Sequence, residues 1–266
     1  MSIQARQQEI LRILEERKSV NIHYLKSVLA VSEPTVRNDL RYLESQGKLQ
    51  RSHGGAVQIQ KPQEMPYVER YKVNLAAKRE IGRVAATMLK QGETVFLDAG
   101  STIMTMAEQL PDHIECNAVT AALHIALEAG KHPGISVHLV GGLLRPSLQE
   151  LIGPKAIEGI RQIHAHKVFL SVSGVDLEKG LTENHLLSSE VKRAMVESAD
   201  EVIVLADSSK WGTVHFARVL PVAEVDILVT DEDIDEESCR ALEERGVRVL
   251  VASTEGQVVD RISADE

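Results

Sequence analysis

A short turn between two amphipathic segments constrains the first sixty residues more than any other feature of this sequence. The hydroxyl of Ser32 can accept a hydrogen bond from a free amide at the start of a helix, and Pro34 suits the first helical turn. Apolar residues recur at helical spacing on both sides, at Ile22, Leu25, Val28 and Leu29 before the turn and at Val36, Leu40 and Leu43 after it. The pattern predicts two helices across a tight turn, the second one N-capped by Ser32.

Another helix is predicted before this pair, and a β-hairpin after it. The apolar face of the first helix is formed by Ile3, Ile10, Leu11, Ile13 and Leu14. Gly47 is expected to end the third helix. Two short strands, 49–51 and 56–59, are expected on either side of the Gly54-Gly55 turn. Three helices followed by such a hairpin form a winged helix-turn-helix, a DNA-binding fold.

The polar side of the third predicted helix and the hairpin carry residue types that contact DNA. Arginine can bind guanine and asparagine can bind adenine, whereas lysine and arginine neutralise phosphates. The candidate DNA-binding residues are Ser32, Thr35, Arg37, Asn38, Arg41, Lys48, Arg51, Ser52 and His53. The alternative is a protein-binding module with a solvated arginine face, but the order of turn, cap, basic face and wing favours DNA.

Charge is distributed unevenly along the chain. Residues 1–60 hold nine Lys or Arg against six Asp or Glu, and residues 61–266 hold 21 against 33. A basic module joined to an acidic body suits a DNA-binding protein, although chance surface bias is an equal alternative on charge alone.

Several classes of protein are disfavoured by what the sequence lacks. It has no apolar run of the roughly 18–20 residues that span a membrane, and its first residues lack the apolar core of a signal peptide. Cys116 and Cys239 match neither a metal-binding spacing nor a disulfide framework. His164 and His166 likewise make an improbable metal site. A cytoplasmic protein without membrane contact, metal or cofactor is expected.

After the DNA-binding domain, expected at 1–59, the pattern changes. Residues 60–75 contain two prolines and are expected to be a linker, and residues 254–266 a flexible tail. A helix at 76–90 precedes strands predicted at 94–97, 117–120, 136–140, 168–172, 202–205, 227–229 and 247–251. Alternating strands and helices predict an α/β domain over 76–253 with a mostly parallel sheet.

Polar loops follow four of these predicted strands, and ligands of parallel sheets bind beyond the carboxyl ends of strands. The loop at 98–102 combines Gly100 with the hydroxyls of Ser101 and Thr102 at a helix start, which suits a phosphate or carboxylate. A plain capped turn is an equal alternative. The other loops contain Gly141, Gly142 and Arg145, then Asp176 and Glu183, then Asp207 and Lys210. His215, which follows the last loop, is a further candidate for a polar contact.

The sequence resembles the DeoR family of bacterial sugar-operon regulators. VSEPTVRNDLRYLESQGKLQRSHGGAV resembles the family's helix-turn-helix signature, and LDAGST, LVGGLLRPSLQELIGP, SGVDLEKGLTE, SSEVKRAM and ADSSKWG resemble its sensor domain. Asn38 stands where the family usually has a second arginine, and Ala121 where it has an asparagine. These departures point to altered operator bases and an unusual effector.

The resemblance implies a sensor domain similar in fold to ribose-5-phosphate isomerase, which binds a phosphorylated sugar or sugar acid. It implies that the effector phosphate lies on Gly100, Ser101 and Thr102. The remaining effector-binding residues are expected to be Asp98, Gly141, Gly142, Asp176, Lys192, Asp207 and Lys210.

We therefore expect a transcriptional regulator, most simply a repressor of a carbohydrate catabolic operon, that the effector releases from double-stranded operator DNA. A homodimer or homotetramer is expected because two operator half-sites need two DNA-binding domains. One alternative is an isomerase-like enzyme that uses Asp98, Asp176, Glu183 and Lys210 for acid–base chemistry. The other is an activator.

Overall fold

The computed structural model describes residues 2–17, 19–46, 48–52, 54–58, 65–253 and 258–260. The chain divides into two compact units, residues 1–63 and residues 64–266. The expected helix end at Gly47 and the expected DNA contact of His53 lie outside the described residues.

The first unit has the predicted order of helices and wing. Its helices are α1 Ile3–Arg17, α2 Ile22–Leu29 and α3 Glu33–Ser45, and its strands are β1 Ser19–Asn21, β2 Leu49–Ser52 and β3 Gly55–Gln58. Ser32 caps α3 by accepting from the Thr35 amide at 3.4 Å, with Pro34 in the first turn. Strand β1 was not predicted because three residues show no period, and only pairing with β3 makes them a strand.

The helices of this unit share one apolar core. Its fully buried members include Ile10, Leu14, Leu25, Val36, Leu40 and Leu43, and each such side chain contributes about 1.5–3 kcal/mol. Two residues that were predicted on the apolar faces are not buried: Ile3 is 62% exposed and Val28 is 47% exposed. Ile3 begins α1 and Val28 lies on the flank of the apolar face of α2, so neither is covered by a neighbouring helix.

The second unit is built on a central sheet of eight strands among the described residues. Its helices are α4 Tyr67–Lys72, α5 Leu75–Ala86, α6 Ser101–Ala107, α7 Leu123–Ala129, α8 Pro154–Arg161, α9 Leu186–Glu197 and α10 Glu236–Glu243. The strands are, in chain order, β4 Thr94–Leu97, β5 Cys116–Thr120, β6 Ile135–Leu139, β7 Leu143–Arg145, β8 Glu150–Ile152, β9 Ala165–Leu170, β10 Gly174–Asp176, β11 Gly180–Glu183, β12 Ala199–Leu205, β13 Ala217–Leu220, β14 Ile227–Asp231, β15 Arg248–Ala252 and β16 Val258–Asp260.

The central sheet has the order β16-β15-β14-β12-β9-β4-β5-β6. All seven predicted strands belong to it and pair in parallel, and β16 adds an antiparallel edge. Two apolar cores flank the sheet. Phe96 and Val168 pack into the core formed with α8, α9 and α10, whereas Leu97 and Phe169 pack into the core formed with α5, α6 and α7. Alternate residues of one strand thus face two helical layers, which confirms the predicted α/β fold.

The short strands outside the central sheet were not predicted. Strands β7 and β8 form one antiparallel pair, and β10, β11 and β13 form a small sheet. Each has only three or four residues and contains a glycine or a charged residue, which weakens the strand pattern. The predicted helix at 76–90 also ends early, at Ala86.

The expected linker and tail are partly structured. Helix α4 lies within 60–75 and is tied to this unit by the Tyr67 amide, which donates to the Ser147 carbonyl at 2.9 Å, and by the Tyr71 hydroxyl, which donates to Glu108 at 2.6 Å. Strand β16 lies within 254–266 and pairs with β15. Both elements are held by tertiary contacts rather than by local periodicity.

Candidate functional site

The exposed face of α3 carries the predicted DNA-reading side chains. Arg37, Asn38 and Arg41 are exposed and Thr35 is half-buried. Arg37 pairs with Glu33 one turn earlier at 2.6 Å and lowers the pKa of that carboxyl group, while Arg41 donates to the Asn38 amide oxygen at 3.4 Å. These exposed contacts are easily exchanged for contacts with bases and phosphates.

A buried ion pair, which sequence reasoning missed, fixes α3 from behind. Asp39 lies on the inner side of α3 and accepts from the Arg6 guanidinium on α1 at 2.5 and 3.1 Å. Both residues are at least nine-tenths buried. The two-pronged geometry orients the helix about its axis, so that Arg37 and Arg41 point outward.

The wing is braced against the same helix. The Arg51 amide of β2 donates to the Glu44 carboxylate of α3 at 2.9 Å, and the two side chains lie 3.7 Å apart. Lys48 and Ser52 are exposed beside it. Within the first unit, α3 and the wing therefore form one exposed, polar and basic surface.

A network of buried charges lies at the carboxyl ends of β4 and β9. The Lys192 ammonium, from α9, donates to the Asp98 carboxylate and to the Ser171 carbonyl, the latter at 2.9 Å, and lies 3.6 Å from Glu183. Burial opposes the ammonium, but the charges of Asp98, Glu183 and Glu150 raise the pKa of Lys192 above its ordinary value. Burial likewise opposes ionised Glu183, yet Lys192 and the Ser173 hydroxyl lower its net pKa. Lys192 and Glu183 are therefore both ionised at neutral pH.

Gly100 packs directly against this network. A Cβ at this position would lie 1.9 Å from the Ser171 hydroxyl oxygen, and that hydroxyl donates to Asp98 at 2.8 Å. Close packing within the chain therefore requires a glycine here. The next residues, Ser101 and Thr102, are buried in the first turn of α6, and their amides precede its first helical hydrogen bond, from Met104 to Gly100.

A pocket of about 190 Å³ opens beside the network. It is lined by Met65, Arg70, Val73, Lys78, Ser173, Asn184, Lys210 and His215. Ser173 joins the pocket to the network, since its hydroxyl donates to Glu183 and accepts from Asn184 at 3.2 Å. The structure thus brings the predicted Lys210 and His215 together with two cations that sequence reasoning missed, Arg70 and Lys78. A lone lysine or arginine near a helix start carries no signal of burial.

Asp207 lies beside the lysines of this pocket. One carboxylate oxygen accepts from Asn74 at 3.0 Å and from Ser209. The other oxygen is buried and has no hydrogen-bond partner among the described residues. Burial opposes the charge of Asp207, but its hydrogen bonds and the charges of Lys210 and Lys78 lower its pKa. The second oxygen is an unused acceptor for a ligand hydroxyl.

Other predicted site residues lie apart from the pocket lining. Asp176 is at the turn of the β10–β11 hairpin, where it accepts from the amides of Glu178 and Lys179 at 2.9 and 2.8 Å. These bonds lower the pKa of Asp176 and stabilise the turn. Gly141 and Gly142 are exposed between β6 and β7. The carboxylate of Asp176, one member of the acid–base set of the enzyme alternative, is therefore engaged in its own turn.

Two further buried titratable residues, His124 and Glu150, lie outside the pocket lining. The His124 ring, at the start of α7, lies 4.0 Å from the Tyr67 ring, and both its nitrogens are buried without a partner in the described part of the chain. Burial lowers the pKa of His124 to about 4. Burial also raises the pKa of Glu150, which accepts from Ser188 at 2.8 Å and from Arg145 at 3.3 Å. No sequence pattern predicted the burial of either residue.

Two further properties concern the described residues as a whole. Among them, no group of histidine, cysteine, aspartate and glutamate is arranged to hold a metal ion. No helix in the described ranges is both long and apolar enough to cross a bilayer.

Proteins of known name resemble this chain over most of its length. An uncharacterised HTH-type transcriptional regulator of Bacillus subtilis, YulB, is 38% identical over 94% of this chain and 96% of its own. GolR of Listeria innocua is 31% identical over 93% of this chain and 98% of its own. The transcriptional repressor GlcR of Bacillus subtilis is 33% identical over 91% of this chain and 93% of its own.

Two solved structures resemble the chain distantly. A probable sor operon regulator from Shigella flexneri gives a TM-score of 0.42 at 13% identity, over 63% of this chain and 88% of its own. Ribose 5-phosphate isomerase A of Methanocaldococcus jannaschii gives a TM-score of 0.38 at 15% identity, over 50% of this chain and 53% of its own.

Family models cover both units. The DeoR-like helix-turn-helix domain matches residues 6–62, and the DeoR C terminal sensor domain matches residues 73–232. A DNA-binding domain followed by a sensor domain is the composition of a regulator, so the enzyme alternative is wrong. With these matches and relatives at 30% identity and above, the chain belongs to the DeoR family of transcriptional regulators.

Proposed function

We propose that this protein is a cytoplasmic repressor of a carbohydrate catabolic operon, released from its operator by a phosphorylated sugar or sugar acid. The names of two relatives support repression, GlcR of Bacillus subtilis and the transcriptional repressor AccR of Agrobacterium fabrum, which is 34% identical over 86% of this chain and 90% of its own. The observation that carries the effector class is the pocket that joins Arg70, Lys78 and Lys210 to a buried acidic network.

The effector's phosphate lies on the loop at 98–102, and Lys210 meets its charge. The amides of Ser101 and Thr102 and their two hydroxyls supply donors at the start of α6. A dianionic phosphate gains charge-assisted hydrogen bonds there that a neutral sugar lacks. The Asp207 oxygen that has no partner among the described residues suits a sugar hydroxyl, which accounts for a ligand carrying both an anion and hydroxyl groups.

The DNA partner is recognised by α3 and the wing. Arg37, Asn38 and Arg41 read bases in the major groove, and Lys48 and Arg51 contact phosphates. Two half-sites call for a homodimer or homotetramer.

A paired ligand screen tests the effector class. We expect at least one of glucose 6-phosphate, fructose 1-phosphate, ribose 5-phosphate and 6-phosphogluconate to raise the melting temperature and to release a DNA fragment selected in vitro by the protein. The matched unphosphorylated compounds should do neither. If only the unphosphorylated compounds act, the proposed effector class is wrong.

A further inference from the structure

Exposed apolar side chains lie around the pocket of the sensor domain. Phe216 is 81% exposed and Val214 is 52% exposed, and these two residues flank His215, which lines the pocket. Other exposed apolar residues line the pocket themselves or lie within two residues of one that does. The members of this surface, which we call the mouth patch, are Met65, Val68, Val73, Leu186, Val214 and Phe216. Apolar patches on a protein surface mark sites of interaction.

The backbone holds the side chains of Val214 and Phe216 outward. Burial alternates along this segment as it does in a β-strand, since His215 is half-buried and both its neighbours are exposed. The His215 amide donates to the Thr182 hydroxyl at 3.0 Å, and its ring lies 3.1 Å from the Ser173 carbonyl oxygen. These contacts fix His215 on the inner side and thereby keep Phe216 on the outer side. An aromatic side chain held in an exposed position is typical of the core of a protein interface.

The mouth patch also lies where the sensor domain begins in the chain. Residues 1–63 form the DNA-binding unit and residues 64–266 the second unit, so Met65 and Val68 belong to the segment that follows the boundary. A two-fold axis through the mouth patch brings the two copies of this segment close to each other. Operator half-sites lie about 34–36 Å apart or multiples of this distance, so the chains that lead to two DNA-binding units have to begin near one another. This argument favours a second copy of the chain over an unrelated partner.

We propose that the mouth patch is the surface through which two copies of this chain associate, with Phe216 as its aromatic anchor. A two-fold contact uses the same patch on both partners, so each set of apolar side chains covers the other. The effector pocket then lies beside the subunit contact. This inference rests on the oligomer that the proposed function requires and adds the surface that forms it.

Sedimentation velocity of the full-length protein over a series of concentrations tests the surface. Phe216→Asp places a carboxylate in the contact, and we expect it to raise the dissociation constant of the wild-type assembly by about thirtyfold or more. Leu127→Asp is the matched control, because Leu127 is 74% exposed on α7 and lies outside the pocket lining. It should assemble like the wild type. Circular dichroism checks that both variants are folded.

Thiol labelling tests the same surface without placing a charge in it. Cys116 and Cys239 are buried, so maleimide reacts first with a thiol introduced by Phe216→Cys or, as the control, by Leu127→Cys. We expect the Phe216→Cys protein to react slowly when assembled and rapidly after dilution below the dissociation constant, whereas the Leu127→Cys protein reacts at one rate throughout. A rate for Phe216→Cys that is independent of concentration overturns the proposal. If that constant rate is slow, the patch is covered from within its own chain. This test stands even if Phe216→Asp fails to fold.

The outcomes separate this inference from the proposed function. If the wild type assembles and Phe216→Asp assembles equally well, or if only Leu127→Asp separates the copies, the mouth patch is wrong and the proposed function stands. If the wild type is a monomer at every concentration, both alone and on operator DNA, the expected oligomer fails, and the mouth patch fails with it.

Discussion

Lys192 on α9 donates a hydrogen bond to Asp98 at the end of β4, and both side chains are almost completely buried. The pair joins a helix of one layer to a strand of the central sheet. Because Glu183 lies 3.6 Å from the same ammonium, one cation compensates two buried carboxylates. This relationship makes Lys192 a stability determinant as well as a candidate for effector contact.

Removing the Lys192 charge should destabilise the sensor domain strongly. Lys192→Met leaves Asp98 and Glu183 buried and uncompensated, which costs about 3–5 kcal/mol. Urea denaturation followed by circular dichroism measures this loss. Because burial then raises the carboxyl pKa values of the folded variant, that state binds more protons than the unfolded one, and the deficit should shrink as pH falls. A deficit that is constant between pH 7 and pH 5 contradicts this account.

Substitution of Gly100 should act through Ser171. Gly100→Ala places a Cβ 1.9 Å from the Ser171 hydroxyl oxygen, and such overpacking costs about 1–3 kcal/mol. The double variant Gly100→Ala, Ser171→Gly removes the clash and should recover part of the loss, although Asp98 loses one donor. Thermal unfolding of both variants provides the measurement, and a Gly100→Ala protein as stable as the wild type would refute the packing role.

The stability of the sensor domain should depend on pH through His124. Its folded pKa is about 4, below the ordinary value of 6.5, so the folded state resists protonation and the unfolded state accepts it. The resulting stabilisation is present above the ordinary pKa and is lost as pH falls from about 7 to about 4, by up to about 3 kcal/mol. His124→Phe keeps a ring against Tyr67 and removes the titration. Its stability relative to the wild type should therefore increase toward acid, as measured by denaturant unfolding at each pH.

Operator affinity should depend on the exposed arginines of α3. Arg37→Ala or Arg41→Ala should weaken binding by about 1–3 kcal/mol if the residue contacts a base, with sensor-domain stability unchanged. Arg12→Ala, an exposed arginine on α1, is the matched control. Fluorescence anisotropy at several salt concentrations measures affinity, which should fall as salt rises. Unchanged operator binding by the variant that combines Arg37→Ala with Arg41→Ala would contradict the assignment of the recognition helix.

Lys210 should be needed for release and not for DNA binding. Lys210→Ala removes a cation from the pocket, so the operator complex should form normally but persist at effector concentrations that dissociate the wild type. Ser101→Ala with Thr102→Val should act the same way more weakly, because the amides remain. Anisotropy titrations with the phosphate found in the ligand screen provide the test. A wild-type response in both variants would place the effector elsewhere.

The expected architecture depended on signals that are local in the chain. Ser32 and Pro34 mark a helix start wherever such a turn occurs, because the cap uses neighbouring amides. The seven predicted strands are rich in β-branched and other apolar residues, so they could be recognised without knowing their partners. Strands β10 and β11 could not, since their sequences GVD and GLTE contain glycine and acidic residues, which are uncommon in strands, and they pair only in the folded chain.

The sequence predicted which loops contribute to the candidate site, but not which side chains contact one another there. The loops at 98–102 and 206–212 were expected because they follow strands, and Lys210 does line the pocket. Arg70 and Lys78 were missed, because helix α4 and its neighbours show no pattern that separates a buried cation from a solvated one.

By itself, the sequence determined the winged helix-turn-helix, the alternation of strands and helices, and the polar loops that end the strands. These features follow from periodicity, capping and turn chemistry, whose interactions span a few residues. Only the tertiary structure decided that Lys192 neutralises Asp98, that Gly100 packs against Ser171, and that Lys78 holds the end of α4. The burial of a charge and the filling of a cavity are set by groups distant in the chain, and their free energies exist only once the fold has brought them together.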